Sequence, residues 1–306
     1  MKARGVLALA LAVGLGGCTC GVASGGTDAG NVPGVDSGAV PGSDSGGGGG
    51  TYTEPYCTDP LADLSDLAAA YTPAGLRPAV EGVAMRRYPI GLVVIQDQSD
   101  TDLMNWFFST ATFNDVLDGF EIAVHEGTHI WDFSNSPPGG WSYRVRDDLV
   151  ITTASLTNFA RSEILAFHAD PTADMYDDVY LTGFSGTQGF NNLLDEYNAY
   201  VHSLASSYCT RDRLAPGSSI SSRDGILTMM YYVELYLKVG RLNHPADYAD
   251  ILADPEHVDL ILTDWDRAEF WLGLTAGNPE LGINDDLIAT WTYDPANLME
   301  IDLVRP

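Results

Sequence analysis

Two histidines and a glutamate, spaced as His125-Glu126-x-x-His129, are the side chains of this sequence best suited to catalysis. On a helix, residues four apart lie one turn, about 5.4 Å, apart on the same face, so both imidazoles can reach a single Zn²⁺ ion. The glutamate between them can act as general base on a zinc-bound water. The spacing therefore predicts a hydrolytic zinc site.

The segment around this motif has the periodicity of a helix. The residues of one face recur at steps of three and four and form a mainly apolar stripe: Phe113, Leu117, Phe120, Val124, Thr128 and Trp131. A helix from about Thr112 to Asp132 would bury this stripe and carry the histidines on an adjoining face. Glu121 and Asp132 fall on that second face, and either acid could orient a zinc histidine through its other ring nitrogen.

A catalytic zinc site needs a third protein ligand and keeps its fourth position for water. The metzincin pattern requires glycine and histidine where Asp132 and Asn135 stand, and the aspzincin pattern requires aspartate where Phe190 stands. Both classes are therefore rejected, and a later glutamate is expected, either Glu196 or Glu163. We favour Glu196, because its segment has the amphipathic pattern of a helix and a ligand needs a rigid element behind it.

The chain resembles the gluzincin metallopeptidases in two short stretches, an HExxHxxD pattern at 125–132 and an acidic pair followed by alanine at 195–199. The likeness is to the subset that includes the Mlc titration factor peptidases and the catalytic domain of anthrax lethal factor. It implies a zincin-like metallopeptidase domain with an active-site helix and a small sheet. The zinc ligands that it implies are His125, His129 and Glu196, with Glu126 as the general base.

Hydrolysis of an amide also requires a hydrogen-bond donor for the oxyanion of the tetrahedral intermediate. Tyr200 lies four residues after Glu196, on the same face of the predicted helix, and is the first candidate. His202 and His168 are the alternatives. A tyrosine at helical spacing is more often a core residue, and a lone histidine is more often a surface residue, so all three roles stay open.

The start of the chain predicts an exported protein that is anchored to a membrane. Residues 1–17 combine a basic start with a short apolar stretch, as secretory signal peptides do, and Cys18 follows in the context of a bacterial lipobox. Lipidation of Cys18 would tether the mature chain to the cell envelope outside the cytoplasm, either in the periplasm or at the cell surface. Residues 18–52 are rich in glycine, serine and aspartate, which predicts a flexible linker.

Residues 53–306 are expected to form one catalytic domain with a mainly helical α+β fold. Helices are predicted at about 61–71, 76–87, 112–132, 191–206, 223–239 and 255–274. The β-branched run at 91–96 predicts a buried strand, and 141–153 predicts a β-like segment. Because an exported chain meets an oxidising compartment, a disulfide between Cys57 and Cys209 is expected.

The charge of the chain narrows its possible partners. There are 42 acidic and 15 basic side chains among 306 residues, a formal net charge of -27. Such a surface repels phosphates, which argues against binding of nucleic acid. The expected function is zinc-dependent hydrolysis of a peptide or protein substrate. The alternatives are an inactive zincin-like lipoprotein that only binds or scaffolds, and a histidine pair that is structural and holds no metal.

Overall fold

The computed structural model describes residues 54, 61–98, 111–170 and 176–306. These residues form many helices and one two-stranded sheet, so the mainly helical α+β class is confirmed. The signal peptide, Cys18, the linker and Cys57 all lie outside the described residues. None of the described helices combines the length and the apolar character that crossing a membrane requires.

The described elements follow the chain in a simple order. The helices are α1 (Ser65–Ala70), α2 (Leu76–Arg87), α3 (Leu92–Gln96), α4 (Phe113–Asn135), α5 (Tyr176–Tyr180), α6 (Gly183–Gly186), α7 (Phe190–Cys209), α8 (Ser222–Asn243), α9 (Pro245–Ala253), α10 (Pro255–Leu274), α11 (Asp285–Thr292) and α12 (Pro295–Val304). The strands are β1 (Gly140–Arg146) and β2 (Leu149–Ala154), which pair antiparallel with Gly140 opposite Ala154. Short 3₁₀ segments include Pro89–Gly91 and Arg161–Phe167.

Helix α4, which carries the HExxH motif, begins and is anchored as its sequence predicts. Thr112 closes a capping box: its hydroxyl accepts from the backbone N–H of Asp115 at 3.3 Å, and the Asp115 carboxylate accepts from the backbone N–H of Thr112 at 2.7 Å. The apolar stripe is buried along the whole helix: Phe113, Leu117, Phe120, Val124 and Trp131. The opposite face is left to carry polar side chains.

The strand predicted at 91–96 is wrong. These residues form a 3₁₀ turn at Pro89–Gly91 and then the short helix α3. Val94 and Ile95 are both fully buried, so the run is buried as expected, but it is buried as a short helix enclosed by neighbours. Gln98 fixes the end of α3 to α4, because its side-chain amide donates to the carbonyl of Ala123 at 3.0 Å. Tertiary packing therefore overrides the β-propensity of the run.

Three elements hold the polar face of α4. Helix α7 packs directly against α4, and α8 packs against α7 and reaches α4 through Ser222 and Glu121. The hairpin of β1 and β2 closes the third side, where the backbone N–H of Arg144 donates to Asp132 at 2.7 Å. The predicted helix at 191–206 thus corresponds to α7, and the β-like segment corresponds to the hairpin.

Cys209, at the end of α7, is buried and disulfide-bonded. The other three cysteines of the chain, Cys57 among them, lie outside the described residues. Pairing of Cys209 with Cys57 therefore stays a prediction.

Candidate metal centre

The packing of α4 against α7 brings together residues that are distant in sequence. His125 and His129 lie on the polar face of α4, and Glu196 projects toward them from α7. One ligand atom from each of these three side chains lies within 4.8 Å of the other two. Among the described residues, this is the group of histidine, cysteine and acidic side chains that could hold a metal ion.

The spacing of these three atoms suits a tetrahedral zinc ion. The two histidine Nε2 atoms are 3.1 Å apart, and Glu196 Oε2 lies 3.3 Å from Nε2 of His129 and 3.8 Å from Nε2 of His125. Ligands about 2.0–2.2 Å from zinc in tetrahedral geometry are separated from one another by roughly 3.3–3.6 Å. Glu196 Oε2 is also buried and makes no well-formed hydrogen bond, so it is an acceptor that suits a cation. The residues therefore fit the metal.

The second nitrogen of each histidine is held by a hydrogen-bond partner. His125 Nδ1 lies 2.9 Å from Ser203 Oγ, and His129 Nδ1 lies 2.8 Å from Asp195 Oδ2. These contacts fix both rings with Nε2 turned toward the other histidine and Glu196. A carboxylate on the far nitrogen of a metal-binding histidine sets its tautomer and raises its basicity, and Asp195 is placed to do this.

The orienting role that the sequence offered to Asp132 or Glu121 is thus taken by Asp195. Asp132 instead accepts from the backbone N–H of Arg144 at 2.7 Å and from the side chain of Asn198 at 3.2 Å. Glu121 accepts from Ser222 Oγ at 3.3 Å. Asp132 therefore joins α4 to β1 and α7, and Glu121 joins α4 to α8.

The electrostatics of the centre depend on burial and on opposed charges. Burial, followed by the charge of His129, lowers the pKa of His125 to about 3. Burial also acts to lower the pKa of His129, but the carboxylates of Asp195 and Glu196 outweigh it and raise that pKa well above its usual value. Burial acts to raise the pKa of Glu196, and the charge of His129 overcomes it and lowers that pKa to about 2. Because metal ligands must be deprotonated, a divalent cation that binds here would compete with a proton for His129.

The third ligand predicted from the sequence had two candidates, and the structure separates them by position. Glu196 lies beside the two histidines. The Glu163 side chain is 46% exposed and lies 2.8 Å from Nε2 of His244. Glu163 therefore takes part in a surface contact, and Glu196 is the glutamate of the cluster.

Tyr200, the first candidate for the oxyanion donor, forms part of the wall of the centre. Its ring meets the His125 ring edge-on at 4.8 Å between centroids, and its hydroxyl lies 2.8 Å from that of Tyr180. Gly225 of α8 makes room for the ring, because a Cβ there would lie 2.3 Å from a ring carbon of Tyr200. The structure thus places Tyr200 next to a predicted ligand, and its role as donor stays a prediction.

The two alternative donors occupy structural positions. His202 is fully buried, with Nδ1 2.7 Å from the Tyr88 hydroxyl and Nε2 2.9 Å from the carbonyl of Arg144. Both of its nitrogens are therefore engaged, which leaves none for an oxyanion. His168 lies among aromatic rings, with Nε2 3.4 Å from Asp177 Oδ1. His168 is not part of the cluster that could hold a metal.

Sequence reasoning assigned no role to Asp195 and Ser203, which contact the histidines, or to Arg161, which contacts the neighbouring Tyr180. Asp195 had a signal in the acidic pair it forms with Glu196, and Ser203 lies two helical turns after Glu196 on α7. Arg161 had no such signal, because it starts a short 3₁₀ segment without helical periodicity.

We expect Asp195→Asn to weaken zinc binding by about 10–100-fold, because the variant loses the charge that raises the basicity of His129. Competition with a chromophoric zinc chelator would measure the affinity. Asp148→Asn is the matched control, since Asp148 lies on the hairpin turn with a side chain that is 62% exposed. Unchanged affinity in Asp195→Asn would remove Asp195 from the metal centre.

Comparisons of this chain with protein-family models, with curated proteins and with solved structures found no match. The features of this chain that bear on its function are therefore the geometry of the centre and the two sequence stretches that resemble gluzincins.

Proposed function

We propose that this chain is a zinc-dependent metallopeptidase whose metal is held by His125, His129 and Glu196. The proposal depends on the triangle formed by their ligand atoms. The two histidine Nε2 atoms are 3.1 Å apart, and Glu196 Oε2 lies 3.3 Å from that of His129 and 3.8 Å from that of His125. The orientation of both imidazoles by Ser203 and Asp195 supports it, as does the resemblance to gluzincins. That resemblance also leads us to propose a zincin-like fold for the domain.

The site contains the groups that amide hydrolysis requires. When bound, zinc would polarise the scissile carbonyl and make water more acidic. Glu126 would accept the proton of the attacking water and pass it to the leaving nitrogen. Burial raises the pKa of Glu126, which suits a carboxyl group that must later donate this proton. The Tyr200 hydroxyl is the proposed donor to the oxyanion.

The proposal extends to where the enzyme acts. We propose that a lipid on Cys18 tethers the domain to the cell envelope outside the cytoplasm and that its substrate is a peptide or protein. The disulfide bond of Cys209 supports an oxidising location. The net charge of -27 supports a partner other than nucleic acid.

Zinc stoichiometry would test the metal site directly. After reconstitution and dialysis, elemental analysis should find about one zinc ion per chain, and His129→Ala should lose it, because two protein ligands do not hold zinc as three do. His244→Ala is the matched control, since His244 contacts Glu163 outside the cluster. A chain that retains no zinc would leave His125 and His129 as a structural pair and would end the proposal.

A further inference from the structure

Arg161 is a fully buried arginine whose two terminal nitrogens have no hydrogen-bond partner. The rest of the side chain is fixed: Nε donates to the carbonyl of Tyr180 at 2.7 Å, and the guanidinium carbon lies 5.3 Å from the centre of the Tyr180 ring. Its backbone N–H donates to the carbonyl of Gln188, just before α7, at 2.8 Å. The guanidinium is therefore fixed in place while the N–H groups of both terminal nitrogens are left unused.

An unpaired buried guanidinium is costly, because its N–H groups lose water and gain no partner. Most arginines of the described residues have a carboxylate within salt-bridge distance: Arg77, Arg86, Arg87, Arg146, Arg213, Arg223, Arg241, Arg267 and Arg305. Arg267 is the closest comparison, since it is also fully buried and pairs with Glu54 at 3.0 Å and Asp264 at 3.4 Å. In so acidic a chain, an arginine that stays unpaired is available to an anion from outside.

Contacts connect Arg161 to the tyrosine wall of the proposed metal centre, because it holds Tyr180, whose hydroxyl meets that of Tyr200. Its charge also helps to lower the pKa of Glu196. The two tyrosine hydroxyls are 2.8 Å apart, and the Tyr200 ring meets His125, so the chain of contacts reaches the histidines. An anion at Arg161 would therefore be close to the bond that the centre cleaves.

We propose that Arg161 binds a carboxylate of the substrate beside the scissile bond, which makes peptides with a carboxylate at that place the preferred substrates. This inference depends on the proposed function of the same centre. The two free nitrogens of a guanidinium match the two oxygens of a carboxylate. Consecutive residues of an extended peptide are about 3.3–3.6 Å apart, so a carboxylate bound behind the wall of Tyr180 and Tyr200 belongs to a residue close in sequence to the cleaved bond.

Two kinds of carboxylate have this chemistry. The first is the C-terminal carboxylate of the peptide, which would make the enzyme a carboxypeptidase, and the second is the side chain of an acidic residue beside the scissile bond. Because Arg161 is closed off from solvent in the ligand-free centre, either carboxylate reaches it only when a side chain of the surrounding wall shifts. The pair then forms away from water, where charge-assisted hydrogen bonds are strong.

Binding of short peptides would test the proposal without turnover. The protein is the full chain carrying Glu126→Gln, with and without zinc. The probes are acetyl-dialanine, its C-terminal amide, and the amide of acetyl-alanyl-glutamate, with affinities measured by calorimetry. We expect one or both carboxylate probes to bind about 10–100-fold more tightly than the neutral amide. Tight binding of acetyl-dialanine alone indicates a carboxypeptidase. Tight binding of the amide of acetyl-alanyl-glutamate indicates recognition of an acidic side chain.

Substitution of Arg161 separates its contribution from that of the metal. In Arg161→Met the preference for carboxylate over amide should disappear with and without zinc. In Arg161→Lys part of the preference should remain, because lysine keeps the positive charge but lacks the paired N–H donors of the planar guanidinium. Arg146→Met, on the hairpin, is the control. Equal binding of acid and amide by the zinc-loaded protein would overturn the proposal, as would a preference that survives in Arg161→Met. A protein that holds no zinc refutes the proposed function instead, so the two failures are distinguishable.

Discussion

Glu126→Gln is expected to hold zinc as the wild-type chain does and to lose peptide hydrolysis by about 10²–10⁴-fold or more. The amide has almost the same shape as the carboxylate, so helix α4 and the two histidines should keep their positions. It cannot, however, accept a proton from water and return it to the leaving nitrogen. Measurement of zinc content and of initial rates on the same preparations would establish both halves of the expectation.

The position of Glu126 makes this variant informative. The side chain is partly buried on α4 between the two histidines, and the carboxylates of Glu196 and Asp195 act together with burial to raise its pKa. Replacing it therefore removes one negative charge from a crowded acidic centre without removing a ligand. An unchanged or modestly weaker affinity for zinc is the consequence that we expect, because the lost charge attracts the cation but the three ligands remain.

Glu163→Gln is the control for this experiment. Glu163 was the second candidate for the third ligand, and in the structure it contacts His244 at the surface. It should retain both zinc and activity. Hydrolysis by Glu126→Gln at the wild-type rate would show that another group acts as base. Zinc binding without hydrolysis in the wild type as well as in the variant would favour the inactive binding protein over the enzyme.

Local patterns explain why the first half of the centre was predictable. Helix α4 has an apolar stripe, a capping box at Thr112 and Asp115, and two histidines four residues apart, all within one continuous segment. The same kind of reasoning failed at α3, where a β-branched run suggested a strand. In α3 the deciding interactions are with α4, through buried Val94 and the side chain of Gln98, and no local pattern contains them.

The second half of the centre depends on how two helices face each other. The sequence placed Asp195 and Glu196 on one helix, but the rotation of α7 against α4 decides that Glu196 joins the ligand triangle and Asp195 contacts His129 Nδ1. Tyr180 and Arg161 come from a five-residue helix and a short 3₁₀ segment, which are too short to show the periodicity that sequence analysis uses. Tertiary packing, rather than composition, therefore determines these positions.

Glu196→Ala should have the largest effect on the metal, with zinc affinity reduced by about 100-fold or more. Of the three proposed ligands Glu196 is the one from α7, so its loss leaves two neutral imidazoles on a single helix and removes the negative charge that balances the cation. A change of this size exceeds the effect of about 10–100-fold expected for a residue that only orients a ligand. Comparison of the zinc affinities of Glu196→Ala and Asp195→Asn thus distinguishes the acid that binds the metal from the acid that orients a ligand.

Thermal unfolding gives an independent measurement of the same difference. A ligand that binds only the folded chain stabilises it in proportion to the logarithm of its concentration over its dissociation constant, about 4 kcal/mol at 1,000 times that constant. Zinc at a fixed concentration should therefore raise the unfolding temperature of the wild type and of Glu163→Ala equally, and that of Glu196→Ala much less. The reverse order would identify Glu163 as the third ligand. Equal shifts in all three proteins would mean that zinc is held without either glutamate, and the triangle of His125, His129 and Glu196 would not be the metal site.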